Sequence, residues 1–132
     1  MKNKSDKVGK WIPMELLNNW ISFNAYKALS GLSPEYMDPG FMLDETGFVN
    51  VRGVLWNTTD RGEDICLMPP LYRPHMSAYG IALEGNTSLR CYIDNYVANK
   101  GAIRIPDGTA SAGYVIIDTL RWWVGKERLR QL

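Results

Sequence analysis

"FMLDETGFVNVRGVLW", residues 41–56, carries the reading of the fold. Phe41 to Leu43 reads as one strand and "DETG" as a turn in which Gly47 is free to take a positive φ. Phe48 to Trp56 reads as the return strand. Within it Val49, Val51, Gly53 and Leu55 share one face, while Asn50 and Arg52 lie on the other. Alternation with a period of two marks a strand with one face in a core and the other in water.

The same punctuation recurs along the chain. "NTTDRGED" is a polar turn leading to the strand "ICLM", and "EGNT" separates "MSAYGIALEG" from "SLRCYID". "PDGTASAG" joins "GAIRI" to a long final strand, "AGYVIIDTLRWWV". Roughly seven or eight short strands between Gly, Asn and Asp turns, with no long amphipathic helix, predict an all-β fold. The architecture expected is an antiparallel, jelly-roll-like β-sandwich in a single domain over residues 11–124. It is flanked by a basic flexible tail at 1–10 (Lys2, Lys4, Lys7, Lys10) and a basic tail at 125–132, the latter with room for one helical turn. In "WIPMELLNNWISFN", Leu16, Leu17 and Trp20 have helical spacing, but Pro13 and the pair Asn18–Asn19 interrupt it. An irregular segment or one helical turn is expected there, then a short strand around Trp20 to Phe23. Residues 30–40 read as loop.

Composition excludes several functions. The chain has 132 residues, 45% apolar and 22% charged, which suits one globular domain. A net charge of +1 argues against a nucleic-acid binder driven by phosphate contacts. The apolar runs are too short to span a membrane, and "MKNKSDKVGK" does not read as a signal peptide. Cys66, Cys91 and a single histidine fit no zinc pattern. The cysteines read as buried free thiols, with a disulfide between neighbouring strands as the alternative. No cofactor is expected.

"ICLMPPLYRPHMS", residues 65–77, is the second telling segment. Pro69, Pro70 and Pro74 cannot donate to a ladder, so they end one strand and delay the next. Tyr72 is expected to fold its ring under this corner, and Arg73 to cover apolar surface or bond nearby carbonyls. The corner reads as structural, crossing from sheet to sheet, rather than as a ligand loop. His75 is given no role.

The acids offer no catalytic pair. A glycosidase needs two carboxylates facing across a cleft. Asp44, Glu45, Asp60, Glu63, Asp64, Glu84, Asp94 and Asp107 fall nearly all in expected turns, and Asp118 falls in the final strand. "DRGED" lacks the ligand periodicity of a calcium loop. The chain therefore reads as no enzyme and as holding no metal. Aromatics carry more: five Trp and seven Tyr, side chains that stack on sugar rings. Trp11, Trp20 and Trp122 are assigned to the core. Trp56 and Tyr96 are the candidate ligand-binding residues on the surface. "RWW" places Trp122 and Trp123 on opposite faces of one strand, and these two are the candidates for a subunit contact.

The order of segments resembles a domain found in structural proteins of tailed bacteriophages, at tail-fibre tips and in receptor-binding proteins. The resemblance rests on "WIPMELLNNW", with Asn19 where the pattern has Gly, on "DETGFVNVRGVL", on "LMPPLYRP", with Leu71 at a turn glycine, and on "YVIIDTLRW", with Thr119 at the last glycine. It runs from Trp11 to Trp123. It implies a β-sandwich in a virion tail protein, often a homotrimer, that binds host cell-wall saccharide without catalysis; the charge and the short apolar runs add the expectation of no nucleic acid and no membrane insertion. The alternatives it leaves are an assembly or decoration protein contacting other tail proteins, and a small phage protein of the host cytoplasm with no virion role.

Overall fold

A computed structural model describes residues 7–29, 31, 38–57, 64–95, 101–105 and 113–131. The hairpin forms where the sequence places it. Strands β3 (Gly40–Leu43) and β4 (Phe48–Arg52) pair antiparallel, with Leu43 opposite Val49. The turn between them is built on Asp44. Its Oδ1 accepts the N–H groups of Thr46 (2.9 Å) and Phe48 (3.1 Å) and the Thr46 hydroxyl, and its Oδ2 accepts Asn50 Nδ2 at 2.9 Å. Gly47 supplies the positive φ of 95°.

Partial burial alone would raise the Asp44 carboxyl, but the donors from Thr46, Asn50 and Phe48 outweigh it and hold the group at about 2, below its ordinary 3.8. The folded value is the lower one. The stabilisation is therefore fully present above pH 3.8 and is lost as the pH falls through about 2. For a partly exposed group this amounts to about 1–2 kcal/mol. Urea denaturation between pH 5 and pH 2 should show the wild type losing that much relative to Asp44→Asn. Parallel curves would mean the turn does not hold a carboxylate.

The return strand is not continuous. It breaks at Gly53 (φ 135°), and β5 (Val54–Trp56) continues in the other sheet. The long final strand breaks in the same way into β10 (Tyr114–Ile116) and β11 (Arg121–Trp123). Asp118 lies in the turn between them rather than within a strand, and its Oδ1 accepts the Gly53 N–H at 2.7 Å. One carboxylate thus ties together the two points where the chain changes sheets.

The remaining strands are β1 (Ile12–Pro13), β2 (Ile21–Ser22), β6 (Cys66–Leu67), β7 (Ala78–Glu84), β8 (Thr87–Ile93) and β9 (Ala102–Arg104). Among the described residues they form a four-stranded sheet, β1-β3-β4-β11, and a seven-stranded sheet, β2-β5-β10-β7-β8-β9-β6. Every pairing is antiparallel. The fold is an all-β antiparallel sandwich. Leu43, Val49 and Val51 of the smaller sheet and Leu55, Cys91, Ile93, Ile103 and Val115 of the larger belong to one buried cluster.

Two helices flank the strands. α2 (Arg128–Gln131) is the single turn allowed for at the C-terminus. It is docked rather than free, since Leu129 packs on the core and Arg128 bonds the proline corner. α1 (Phe23–Leu29) is a departure from the sequence reading, which placed helix near Leu16. Its signals were present: the Ser22 hydroxyl accepts the Ala25 N–H at 3.0 Å as an N-cap, and Gly31 (φ 75°) bonds back to Ala28 beyond the last turn. Before it, Asn18 and Asn19 both take left-handed φ, 54° and 66°, as asparagine tolerates. In the N-terminal tail, residues 1–6 lie outside the described residues, as do 30 and most of 32–40. The chain is packed by residue 8, because Val8 is buried and the Gly9 N–H donates to Leu43 at 2.9 Å.

Candidate functional site

The proline corner does not cross between sheets. It leaves the larger sheet at edge strand β6 and returns to the same sheet at β7, with β9 and β8 lying between. On the way it is clamped from several sides. Pro70–Tyr72 make one 3₁₀ turn. Tyr72 is buried with its ring edge-on to Phe41, centroids 4.9 Å apart, and the Tyr72 carbonyl accepts Trp122 Nε1 at 2.7 Å. Arg73 Nε donates to the Met68 carbonyl at 2.8 Å, as a corner arginine was expected to do. From α2, Arg128 Nη1 donates to the carbonyls of Leu71 (2.7 Å) and Pro70 (3.3 Å). His75 Nε2 lies 3.2 Å from the Val124 carbonyl, which can only accept, so this nitrogen carries a proton.

This clamping leaves a groove on the outside of the corner. One pocket of about 280 Å³ is lined by Pro70, Arg73, Pro74, His75, Asn95 and Arg128. A second, of about 320 Å³, is lined by His75, Met76, Ser77, Tyr79 and Asn95. The two share His75 and Asn95. Asn95 is fixed at the junction: its Nδ2 donates to the His75 carbonyl at 2.5 Å, and its N–H to the Ser77 hydroxyl at 3.1 Å. Its Oδ1 is buried and has no donor among the described residues. At the open end Tyr79 is 67% exposed, with its ring 5.9 Å from that of Tyr92.

The candidates named from sequence fare differently. Trp56 is not an open stacking platform. Tyr26 of α1 lies on its ring, centroids 3.7 Å apart and planes 14° from parallel, with Phe23 stacked beside them at 5.9 Å. On another side Gly113 sits so close that a Cβ there would strike the indole. The unforeseen helix thus covers the ring. Tyr96 lies outside the described residues. Trp122 is a core residue, 3% exposed, so of the pair offered for a subunit contact only Trp123, 55% exposed, reaches the surface. Trp20 is buried as expected, whereas Trp11 is half-buried with the Arg52 guanidinium 4.1 Å above its ring. His75, assigned no role in the sequence, lines both pockets. Periodicity could not have revealed this, because the groove is assembled from a loop, two strand ends and a helix.

Three of the acids have structural partners. Asp44 and Asp118 hold turns, and Asp64 pairs with Arg104. Asp60, Glu63 and Asp107 lie outside the described residues. No three His, Cys, Asp or Glu side chains among the described residues come together as metal ligands would. Cys66 and Cys91 are free and buried, and burial pushes both thiols up to about 12, far from a reactive thiolate. No helix among the described residues is long and apolar enough to cross a membrane.

Fold and groove together define a class: a β-sandwich with a loop-built surface groove of mixed aromatic and basic character. Compared with family models, with curated proteins and with solved structures, the chain matches none.

Proposed function

We propose that this chain is a non-enzymatic binding module of a phage tail that contacts host envelope saccharide through the groove beside the proline corner. The observation that carries the proposal is the pair of adjoining pockets sharing His75 and Asn95, with the exposed Tyr79 ring at one end. A sugar presents an apolar face to an aromatic ring and hydroxyls to its surroundings. Tyr79 offers the ring and Ser77 a hydroxyl beside it. The tail assignment draws on the segment order from Trp11 to Trp123. A shallow, wet site gains little per ligand atom, so adhesion relies on several copies per particle.

The test is binding of the purified protein to cell-wall polysaccharide fragments of the host, together with competition against phage adsorption. Tyr79→Ala should weaken binding about tenfold, the effect of losing one ring contact of roughly 1.4 kcal/mol. Its melting temperature should hold, because the ring is exposed. Equal binding by the variant, or no binding by the wild type, removes the saccharide reading.

A second reading, contact with other copies or other tail proteins, is favoured by the outer face of β7. Tyr79, Ile81 and Leu83 stand on it 67%, 53% and 40% exposed. Three large apolar side chains in file on a sheet face are unusual for a surface that meets only water. Light scattering that reports a trimer dissociated by Ile81→Asp would support it, and a monomer would remove the homotrimer.

A further inference from the structure

The proline-corner end of the groove is chemically unlike the Tyr79 end. Arg73, His75 and Arg128 converge on the 280 Å³ pocket, and among the described residues no carboxylate lines it. In a chain carrying 15 basic and 14 acidic residues, that is a local excess of positive charge. The neighbouring Asp94 is only 7% exposed and is engaged in a contact of its own.

The manner in which the cations are held matters more than their number. Arg73 is anchored through Nε to the Met68 carbonyl, and Arg128 through Nη1 to the carbonyls of Pro70 and Leu71. Backbone carbonyls position a guanidinium without neutralising it. A guanidinium has five N–H donors in a rigid fork, so both terminal nitrogens of Arg73 and the Nη2 and Nε of Arg128 keep donors that no described residue takes. His75 is likewise held by a carbonyl, that of Val124. Prolines 70 and 74 stiffen the loop that carries these groups. Little ordering remains to be done when an anion arrives, and charge-assisted hydrogen bonds from a forked guanidinium are among the strong ones.

From this geometry we propose that the Arg73–His75–Arg128 pocket binds an oxyanion, the phosphate or carboxylate borne by an acidic saccharide polymer whose sugar ring lies toward Tyr79. The inference rests on the saccharide reading only for the second half of that ligand. The oxyanion site itself stands on the two guanidinium groups, Arg73 and Arg128, and on the carbonyls that hold them in place. Cell-wall polymers carry such groups as phosphodiesters or as uronic acid carboxylates, and a fork of donors accepts both.

The experiment is a titration of the full chain, followed by the ¹H–¹⁵N signals of the backbone and of the arginine Nε–H groups. The probes are inorganic phosphate, a glycerol-phosphate oligomer, glucuronate and glucose. Phosphate and the two acidic probes should shift the signals of Arg73, His75 and Arg128. The preferred acidic probe should bind about tenfold or more tightly than glucose, and should weaken as salt is raised. Arg128→Gln should abolish that preference, while Arg128→Lys, which keeps the charge, should retain part of it. Arg130→Glu, on the exposed side of the same helical turn, should leave it intact and so controls for net charge. Stronger binding of the glycerol-phosphate oligomer or of glucuronate identifies the anion. Equal affinity for glucose and the acidic probes overturns the oxyanion site and leaves the saccharide groove standing. Phosphate binding with no response to any saccharide upholds the site and overturns the saccharide reading. No shift with phosphate, with the wild-type fold intact, overturns the inference outright.

Discussion

Gly53→Ala should destabilise the protein by roughly 3 kcal/mol or more, combining backbone strain with a steric clash. Gly53 has φ 135°, a conformation costly to any residue with a Cβ. A Cβ there would also lie 2.5 Å from Pro39 Cα and 2.9 Å from Pro39 N. These are backbone atoms, so nothing can swing aside. The residue has two further roles that need its present backbone path: its N–H donates to Asp118 at 2.7 Å and its carbonyl accepts Ile117 N–H at 3.1 Å. Movement to relieve the clash would strain both sheet crossings together. Gly31 is the matched control. Its φ is also positive, 75°, but no described residue lies within 4 Å of an added Cβ. Gly31→Ala should cost only the left-handed strain, about 1 kcal/mol. Urea denaturation of the two variants reads the difference directly. If they are equally stable, the chain does not pass Pro39 as closely as described.

Tyr72→Ala should cost about 3–5 kcal/mol, the range for removing a large buried aromatic side chain. The ring fills the space under the proline corner against Phe41, and neighbouring prolines leave the loop little freedom to collapse into the gap. Tyr72→Phe should behave in the opposite way. The hydroxyl is buried with no partner among the described residues, and burial pushes its titration up. Deleting a buried polar atom that lacks a partner should be neutral or should stabilise by about 1 kcal/mol. The Trp122 bond to the Tyr72 carbonyl is untouched by either change, so the pair of variants isolates the side chain. Thermal melts of both suffice. A Phe variant that melts clearly below the wild type would mean the hydroxyl is satisfied after all, and an Ala variant as stable as the wild type would mean the ring is not under the corner.

The groove illustrates why function was less legible than fold. Trp56 sits at a strand end beside a polar turn, where exposure is a sound expectation. It is covered because α1 places Phe23 and Tyr26, three apart and so on one helix face, onto its ring. Tyr79 lies within an alternating strand, where a large aromatic residue suggests core. It is exposed because the strand is turned the other way. In "AYGIALE" alternation shows that Tyr79, Ile81 and Leu83 share a face, but not which face is inside. Opposite Cys91 and Leu89, Gly80 and Ala82 point inward, and a Cβ at Gly80 would already lie 3.2 Å from Leu120 Cα. Only small residues fit beneath the crossing between β10 and β11, so the large ones face out. Thr119 reinforces this crossing by hydrogen bonding the Ile81 backbone.

From the amino-acid sequence alone follow the all-β class, the Asp44 turn, the β7–β8 hairpin, the position of the proline corner and the opposite faces of Trp122 and Trp123. Each is a local matter: turn chemistry, proline geometry and a period of two act over a few residues. Tertiary structure alone decided where the two long strands break and change sheets, which face of β7 is buried, that α1 shields Trp56, and that Arg73, His75, Asn95 and Arg128 meet in one groove. These depend on contacts between residues far apart in the chain, such as Gly53 with Asp118 and Arg128 with Leu71. Close packing, not local preference, selects among the arrangements that local preference allows.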